Sequence, residues 1–576
     1  MTSASIDATT AAELFLAGAR DGGLGHVCIS PGSRSTPLAV AATRIEGITT
    51  SVHLDERVAS FSALGRSLAS GVPTALICTS GTAGANYLPA IAEANMSNVP
   101  LIAITADRPP EHWSWGVGQT FTQQGLYHRQ VRAEFSMPVG GDGGREFSSR
   151  AGWRAACTST EEHGPVHVNW PFRLPLEPQF PAEAAPIRFA PPEPESELRT
   201  GEVERLATLL ASSQAPLLIA GPGALRAPGV GLCGDGATDS RSALVHDAAK
   251  RAGLPIVADS LSGLRGADAA GLVPAGALVF QRPAEVLEPL APDLMIHMGQ
   301  TPTAKATRLW WETRSATHVL LDPNSDWNDP SHMADHRFTS DPVGLLSAAS
   351  ADLDESGAWR DGWVAVGAET AKIRDSVLSD SSAVTDAHVA AEFEAALGND
   401  DHLFTSSSMP VRDVDTFAPV TSSTRVHANR GINGIDGVIS TASGFAASST
   451  RAVSVLIGDV ALLHDVGGVL DAARNGQRLV IAVPNNDGGG IFSLLPAKTA
   501  LAPDDFEQLF NTPHGSTFDF LGHYPNISHE HVTDVGAAVK DAHDDPKSTV
   551  TILEVAVSTQ DRLTFQQDLL DRLSRP

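Results

Sequence analysis

The chain has 576 residues, 42% hydrophobic and 19% charged, the balance of a globular protein that buries a sizeable core. Its 40 basic and 67 acidic side chains leave a net charge of −27, which disfavours nucleic acid and anionic membranes as partners. No apolar run approaches the roughly 18–20 residues that span a bilayer. Cys28, Cys78, Cys157 and Cys233 form no C-x-x-C pair, so no zinc motif, disulfide framework or membrane insertion is expected, and a reducing cytoplasm fits best.

In chain order, "MTSASIDATTAAELFLAGA" reads as a cap followed by an amphipathic helix. Strand-like segments follow at 26–30, 74–80 and 100–107, with helical patterns at 56–70 and 84–97 and a last strand in 164–178. Buried strands alternating with helices imply a parallel α/β sheet. The Pro- and Glu-rich stretch 180–197 reads as a linker. A second α/β pattern takes strands at 215–225, 254–260, 294–300 and 317–323, then dissolves into polar chain around 324–357. After a helical region near 358–378, a third unit has strands at 453–459, 478–487 and 548–557. The expected fold class is α/β, with three mostly parallel domains at 1–180, 201–350 and 385–576, joined by linkers at 181–200 and 351–384.

Two glycine-rich loops need separate treatment. "LLIAGPGALR" offers Gly221 and Gly223, but Arg226 stands where a dinucleotide fingerprint requires its third glycine, so a tight turn is the better reading. "PNNDGGGIF" (484–492) is different, because it follows the apolar run Leu479–Val483 and has a partner upstream. Gly458-Asp459 ends one strand, and Asn486 ends the next, 27 positions later. That spacing is one βαβ crossover, so Asp459 and Asn486 should meet at the ligand-binding edge of the sheet. A carboxylate, an amide oxygen, a loop carbonyl and two diphosphate oxygens nearly complete the octahedral shell of Mg²⁺.

Gly-Asp, about 25 residues and Asn-Asn together resemble the cofactor motif of the thiamine diphosphate-dependent enzymes, although Val460 replaces the glycine that many members carry next. "HLDERVASFSALG" (53–65) and "TSGTAGAN" (79–86) resemble the segments around the glutamate that these enzymes aim at the aminopyrimidine ring. "SPGSRSTPL" (30–38), "TADRPPE" (105–111), "ANRGINGIDGVIST" (428–441) and "NNDGGGIFSLLP" (485–496) narrow the resemblance to the 2-succinyl-5-enolpyruvyl-6-hydroxy-3-cyclohexene-1-carboxylate (SEPHCHC) synthases of menaquinone biosynthesis. It spans all three units, then a pyrimidine-binding, a middle and a diphosphate-binding domain.

The resemblance implies a transferase that decarboxylates 2-oxoglutarate and adds the succinyl carbanion 1,4 to isochorismate, releasing CO₂. Its cofactors would be thiamine diphosphate and Mg²⁺, with Mn²⁺ as a substitute. The metal ligands would be Asp459, Asn486 and the Gly488 carbonyl. Thr82, Ile435, Gly458, Ile491 and Phe492 would contact the cofactor, and Glu56 its N1′. Ser408, Arg412 and Arg430 would hold 2-oxoglutarate; Ser33, Arg34, Arg108 and Lys305 would hold isochorismate, with Gln119 at the reacting centre. Bidentate arginines suit two dianions approaching an acidic chain. The resemblance also implies a dimer or a dimer of dimers, with sites between chains. The competing expectation is another thiamine diphosphate-dependent 2-oxoacid decarboxylase or carboligase. No role is assigned to Asp487 or to the loop insertion at 229–242.

Overall fold

The computed structural model describes the chain except for residues 1–5, 179–187, 191–197, 228, 234–235, 267–270, 324–326, 354–356, 545–547 and 576. Most of the segment read as a linker therefore lies outside the described residues. Among those described, every strand pairing within the three sheets is parallel.

The first sheet holds β1 (His26–Ile29), β2 (Thr49–Val52), β3 (Thr74–Cys78), β4 (Leu101–Asp107), β5 (Ala133–Ser136) and β6 (Pro165–Pro171). Their spatial order is β2-β1-β3-β4-β6-β5. The second holds β7 (Pro216–Ala220), β8 (Ile256–Ala258), β9 (Leu294–Met298), β10 (Thr317–Leu321) and β11 (His336–Phe338), in the order β11-β10-β9-β7-β8. The third holds β12 (His402–Thr405), β13 (Arg425–His427), β14 (Val453–Leu456), β15 (Leu479–Asn485), β16 (Ile527–His531) and β17 (Val550–Ala556). Its order, β13-β12-β14-β15-β17-β16, repeats that of the first sheet. The α/β class expected from alternating periodicities is the observed one.

Several elements differ from the expectation for physical reasons. The edge strands β2, β5, β13 and β16 carry little continuous apolar sequence because one side faces solvent or a loop. β12 is fully buried, but its four residues begin with His and end with Thr. The region read as dissolving after residue 323 contains β11 and a helix, Pro342–Ala349, whose Asp341 cap receives Gly344 N–H at 2.8 Å. The single helix expected after Asp459 is two, Asp459–His464 and Val466–Arg474. The break falls at buried Asp465, which accepts from Ser440 N and Oγ, both at 2.9 Å, and burial raises its pKa to about 6. The 229–242 segment contains the start of a helix, Ala237–Arg251, rather than loop alone. Arg226, the residue that spoils the dinucleotide fingerprint, donates to Ser97 O at 2.8 Å and ties the middle sheet to the first.

The first and third units meet along two helices, Glu56–Ser70 and Val438–Ala446, whose backbones touch through glycines. A Cβ on Gly65 would lie 1.9 Å from Thr441 O, and one on Gly444 would lie 1.9 Å from Ser62 O. Only hydrogen fits at either point, so Gly444→Ala should destabilise the chain by about 1–3 kcal/mol. A lower thermal midpoint reads this out, with Gly201→Ala, which meets nothing within 4 Å, as a neutral control. An unchanged midpoint in Gly444→Ala would contradict the close packing.

Candidate active site

Both six-stranded sheets reverse their winding direction between a central pair of strands, and ligands of open α/β sheets bind in the crevice that this opens. In the third sheet the reversal lies between β12 and β14. Ser406–Ser408 and Gly458–Asp459 leave those strands, and Asn486 leaves the adjacent β15. Ser406, Ser408, Gly458, Asp459 and Asn486, with Ile435, Gly488, Ile491 and Phe492, line one cavity of about 210 Å³. The third-unit residues expected at the diphosphate thus share one space.

Asp459 is the first residue of its helix and is buried. Its Oδ1 accepts Val460 N–H at 2.7 Å. Its Oδ2 accepts from Asn486 N at 3.1 Å and Gly488 N at 2.9 Å, and His514 Nε2 lies 3.2 Å away. One carboxylate therefore gathers the whole Asn486–Gly488 turn. The inward-facing atom of the Asn486 carboxamide lies 2.8 Å from Gly488 O and 3.2 Å from Asp459 Oδ2. As nitrogen, that atom donates to both. As oxygen, it completes a cluster of three oxygens that only a cation between them makes favourable. The 2.8–3.2 Å spacings match the edge of an octahedron with metal–oxygen bonds of about 2.0–2.1 Å, so this donor set fits Mg²⁺.

The turn needs its glycine. Gly488 has φ +142°, and a Cβ there would lie 2.1 Å from Asn511 O. Asp487 gains a role that sequence reasoning did not find. Its Oδ1 accepts from His514 N at 3.0 Å and Gly515 N at 2.6 Å, fixing the loop that carries His514 to Asp459. Phe492 stacks edge-on against Phe510 with centroids 5.4 Å apart, forming an aromatic wall.

Ser408 stands at φ +89°, ψ −139°, an unusual conformation for a non-glycine residue, at the start of helix Met409–Phe417. Arg412, one turn on, donates to Ser408 O. Burial and then the charge of Arg430 lower the Arg412 pKa, with Asp413 opposing them. Arg430 lines a separate cavity of about 580 Å³ between units instead of the 210 Å³ one, and its Nε is buried without a partner. Glu93, missed from sequence, holds the Arg430 loop. Its carboxylate accepts from Gly431, Ile432 and Asn433 N–H groups at 2.7, 2.8 and 2.9 Å. A lone Glu inside the apolar helical run "AIAEAN" was its only signal.

The equivalent crevice of the first sheet, between β1 and β3, opens beside Ser30–Arg34 and Thr79–Thr82. Arg34 is buried, with one guanidinium N–H on Phe172 O at 2.8 Å. Burial and then Arg108 lower its pKa. Both Arg34 and Arg108 have a buried Nε without a partner. Arg108 donates to Gly118 O at 3.2 Å, beside Gln119, whose backbone takes φ +55° and packs on Gly81. Ser33, Thr82 and Gln119 are exposed around this pair. Lys305, exposed at the start of helix Lys305–Trp311, makes no hydrogen bond or ion pair with the other expected site residues among those described.

Glu56 begins its helix and is half-buried. Asp55 caps that helix, accepting from Arg57 N at 2.8 Å and Val58 N at 3.3 Å, which leaves the Glu56 carboxylate uncommitted. Burial pushes up the Cys78 thiol at the end of β3; a hydrogen bond with Tyr87 opposes it, and the Glu56 charge adds a smaller push upward. The approach to Glu56 is pinned across units. His53 Nδ1 lies 2.7 Å from Asp471, and Arg57 donates to His464 O at 2.9 Å. Burial lowers the His53 pKa, but Cys28 and Asp471 outweigh it and carry it to about 10. Glu56 does not line the cavity of Asp459 and Asn486. Within one chain the expected site residues therefore fall into two separate groups.

A family model described as "Thiamine pyrophosphate enzyme, N-terminal TPP binding domain" matches residues 9–131. The chain is 37% identical to the 2-succinyl-5-enolpyruvyl-6-hydroxy-3-cyclohexene-1-carboxylate synthase of Chloroflexus aurantiacus, over 89% of this chain and 88% of that protein. It is 36% identical to the synthase of the same name from Myxococcus xanthus, over 86% and 85%. The Bacillus cytotoxicus synthase is also 36% identical, over 86% and 84%. Identity at this level along nearly the whole of both chains leads to one conclusion: this chain belongs to the SEPHCHC synthase family of thiamine diphosphate-dependent enzymes.

Proposed function

We propose that the chain condenses 2-oxoglutarate with isochorismate, releasing CO₂ and forming SEPHCHC for menaquinone biosynthesis. The observation that carries this reading is two sets of arginines that feel each other's charge, Arg34 with Arg108 beside the first-sheet crevice and Arg412 with Arg430 near the start of helix Met409–Phe417. Three of the four have a buried Nε with no partner. Neighbouring cations with desolvated nitrogens repel each other, a cost that Asp107 and Asp413 offset in part and that anionic ligands would offset further.

Asp459, Asn486 and the Gly488 carbonyl would hold Mg²⁺, or Mn²⁺ in its place, with the glycine N–H groups toward diphosphate. Bound there, thiamine diphosphate supplies the electron sink for decarboxylation and the nucleophilic carbon for the addition. Ile435, Ile491 and Phe492 would exclude water from the reacting face. Arg412 and Arg430 would neutralise the 2-oxoglutarate carboxylates while Ser408 orients the reacting end. Arg34, Arg108, Ser33 and Lys305 would receive isochorismate, with Gln119 near the bond being formed. Glu56 would exchange a proton with the cofactor's ring nitrogen.

Two chains would supply the two halves, giving a dimer or a dimer of dimers. The exposed apolar residues Leu54, beside Glu56, and Ile432, beside Arg430, suit such an interface. No helix among the described residues is long and apolar enough to cross a membrane, and we place the reaction in the cytoplasm. We also retain the boundaries 1–180, 201–350 and 385–576 for the three domains.

The deciding assay supplies thiamine diphosphate, Mg²⁺ and 2-oxoglutarate with and without isochorismate. Sustained 2-oxoglutarate consumption should appear only with isochorismate, and both should disappear in equal amounts. Turnover of pyruvate with isochorismate left intact would instead identify another carboligase of this superfamily.

A further inference from the structure

The edge strand β16 carries two histidines that the proposed reaction does not use. His529 and His531 are two residues apart on a strand, so both side chains lie on one face. Asp519 reaches them from the short helical turn Asp519–His523. Asp519 Oδ1 lies 3.1 Å from His529 Nδ1 and 3.0 Å from His531 Nε2. One ligand atom from each of the three falls within 4.8 Å of the others, and the two imidazole rings stand nearly perpendicular, at 84°.

Protonation makes this cluster more than a chance meeting. His529 Nε2 lies 2.7 Å from Oε2 of buried Glu554. Glu554 also accepts from Phe518 N at 3.0 Å and Asn485 Nδ2 at 2.7 Å, so it is held as a hydrogen-bond acceptor. His529 must therefore carry its proton on Nε2, which turns the Nδ1 lone pair toward an Asp519 oxygen. Two lone pairs 3.1 Å apart need a cation or a second proton between them. Tetrahedral zinc, with bonds of about 2.0–2.1 Å, spaces its ligand atoms at about 3.3 Å, close to what is observed. A histidine ligand whose other nitrogen donates to a carboxylate is the usual support for such a metal.

We propose that Asp519, His529 and His531 form a second metal site, selective for Zn²⁺ or a similar transition ion, in which Glu554 orients His529. Two imidazoles with one carboxylate disfavour Mg²⁺ and Ca²⁺, which prefer oxygen. His531 is half-exposed, so a water completes the shell. The ion ties the 519–523 turn to the sheet edge. Glu554 also grips Asn485, the neighbour of Asn486, so the tie reaches the strand end that carries the expected Mg²⁺ ligand.

The test uses chelator-treated full-length protein, resaturated with Mg²⁺ and thiamine diphosphate so that the Asp459 cavity is filled. Calorimetric titration with Zn²⁺ should then show one further equivalent, and Co²⁺ should give visible d–d absorption. Asp519→Asn and His531→Gln, both at exposed side chains, should each weaken Zn²⁺ binding at least about 10-fold, and together abolish it. Zn²⁺ should raise the thermal midpoint of the wild type but not of the double variant. No Zn²⁺ uptake by the wild type at micromolar concentration would overturn the proposal. So would equal uptake by the wild type and the double variant.

Discussion

Glu56→Gln should lower turnover by about 10²–10⁴-fold while thiamine diphosphate still binds, as expected when a positioned proton donor or acceptor is lost. The substitution keeps the side chain's size and removes only its ability to exchange a proton. Helix capping is untouched because Asp55 takes the Arg57 and Val58 N–H groups. The cross-unit anchors, His53 to Asp471 and Arg57 to His464, are also untouched. Cofactor affinity, followed by quenching of intrinsic fluorescence, separates a loss of chemistry from a loss of binding. Turnover near the wild-type rate would remove Glu56 from the reaction.

Asp459→Asn should act on binding instead. Asp459 Oδ2 collects Asn486 N–H and Gly488 N–H, with His514 close by. An amide there supplies one acceptor oxygen in place of two and no charge. Outer-shell changes at metal sites cost about 10–100-fold in affinity, so loss of a ligand charge should raise the Mg²⁺ requirement by at least about 100-fold. Excess Mg²⁺ should restore part of the activity. A circular dichroism spectrum like that of the wild type would show that the chain still folds, since the lost acceptor costs only about 1–3 kcal/mol. An unchanged Mg²⁺ requirement would place the metal elsewhere.

Local sequence carried a large part of this site. Asp459 and Asn486 could be paired in advance because one crossover separates them, and parallel strands of that spacing bring their C-terminal ends together. Gly488 has a backbone that no other residue adopts easily and packs on Asn511 O, a contact that no pattern near 484–492 announced. Glu93 was not legible either. Its partners, Gly431 to Asn433, lie more than 300 residues along the chain, and nothing near "AIAEAN" encodes that distance. Asp487 and the His529–Glu554 pair have partners only 25–28 residues away, but those partners lie in a loop and on an edge strand that carried no apolar pattern to place them.

Taken alone, the sequence determined the α/β class, most of the central buried strands, the meeting of Asp459 with the 484–492 loop, and the family resemblance. Each depends on periodicity, on residues within one crossover, or on short motifs, where geometry is nearly independent of the rest of the fold. The tertiary structure decided the strand order, the matching reversals in the first and third sheets, and the Gly65–Thr441 and Gly444–Ser62 contacts that join the two units. It also decided which carboxylates hold which loops. Those features arise from edge strands and loops with weak apolar signals and, for Glu93, from contact between distant segments. They are selected by packing the whole chain at once, so no local window of sequence contains them.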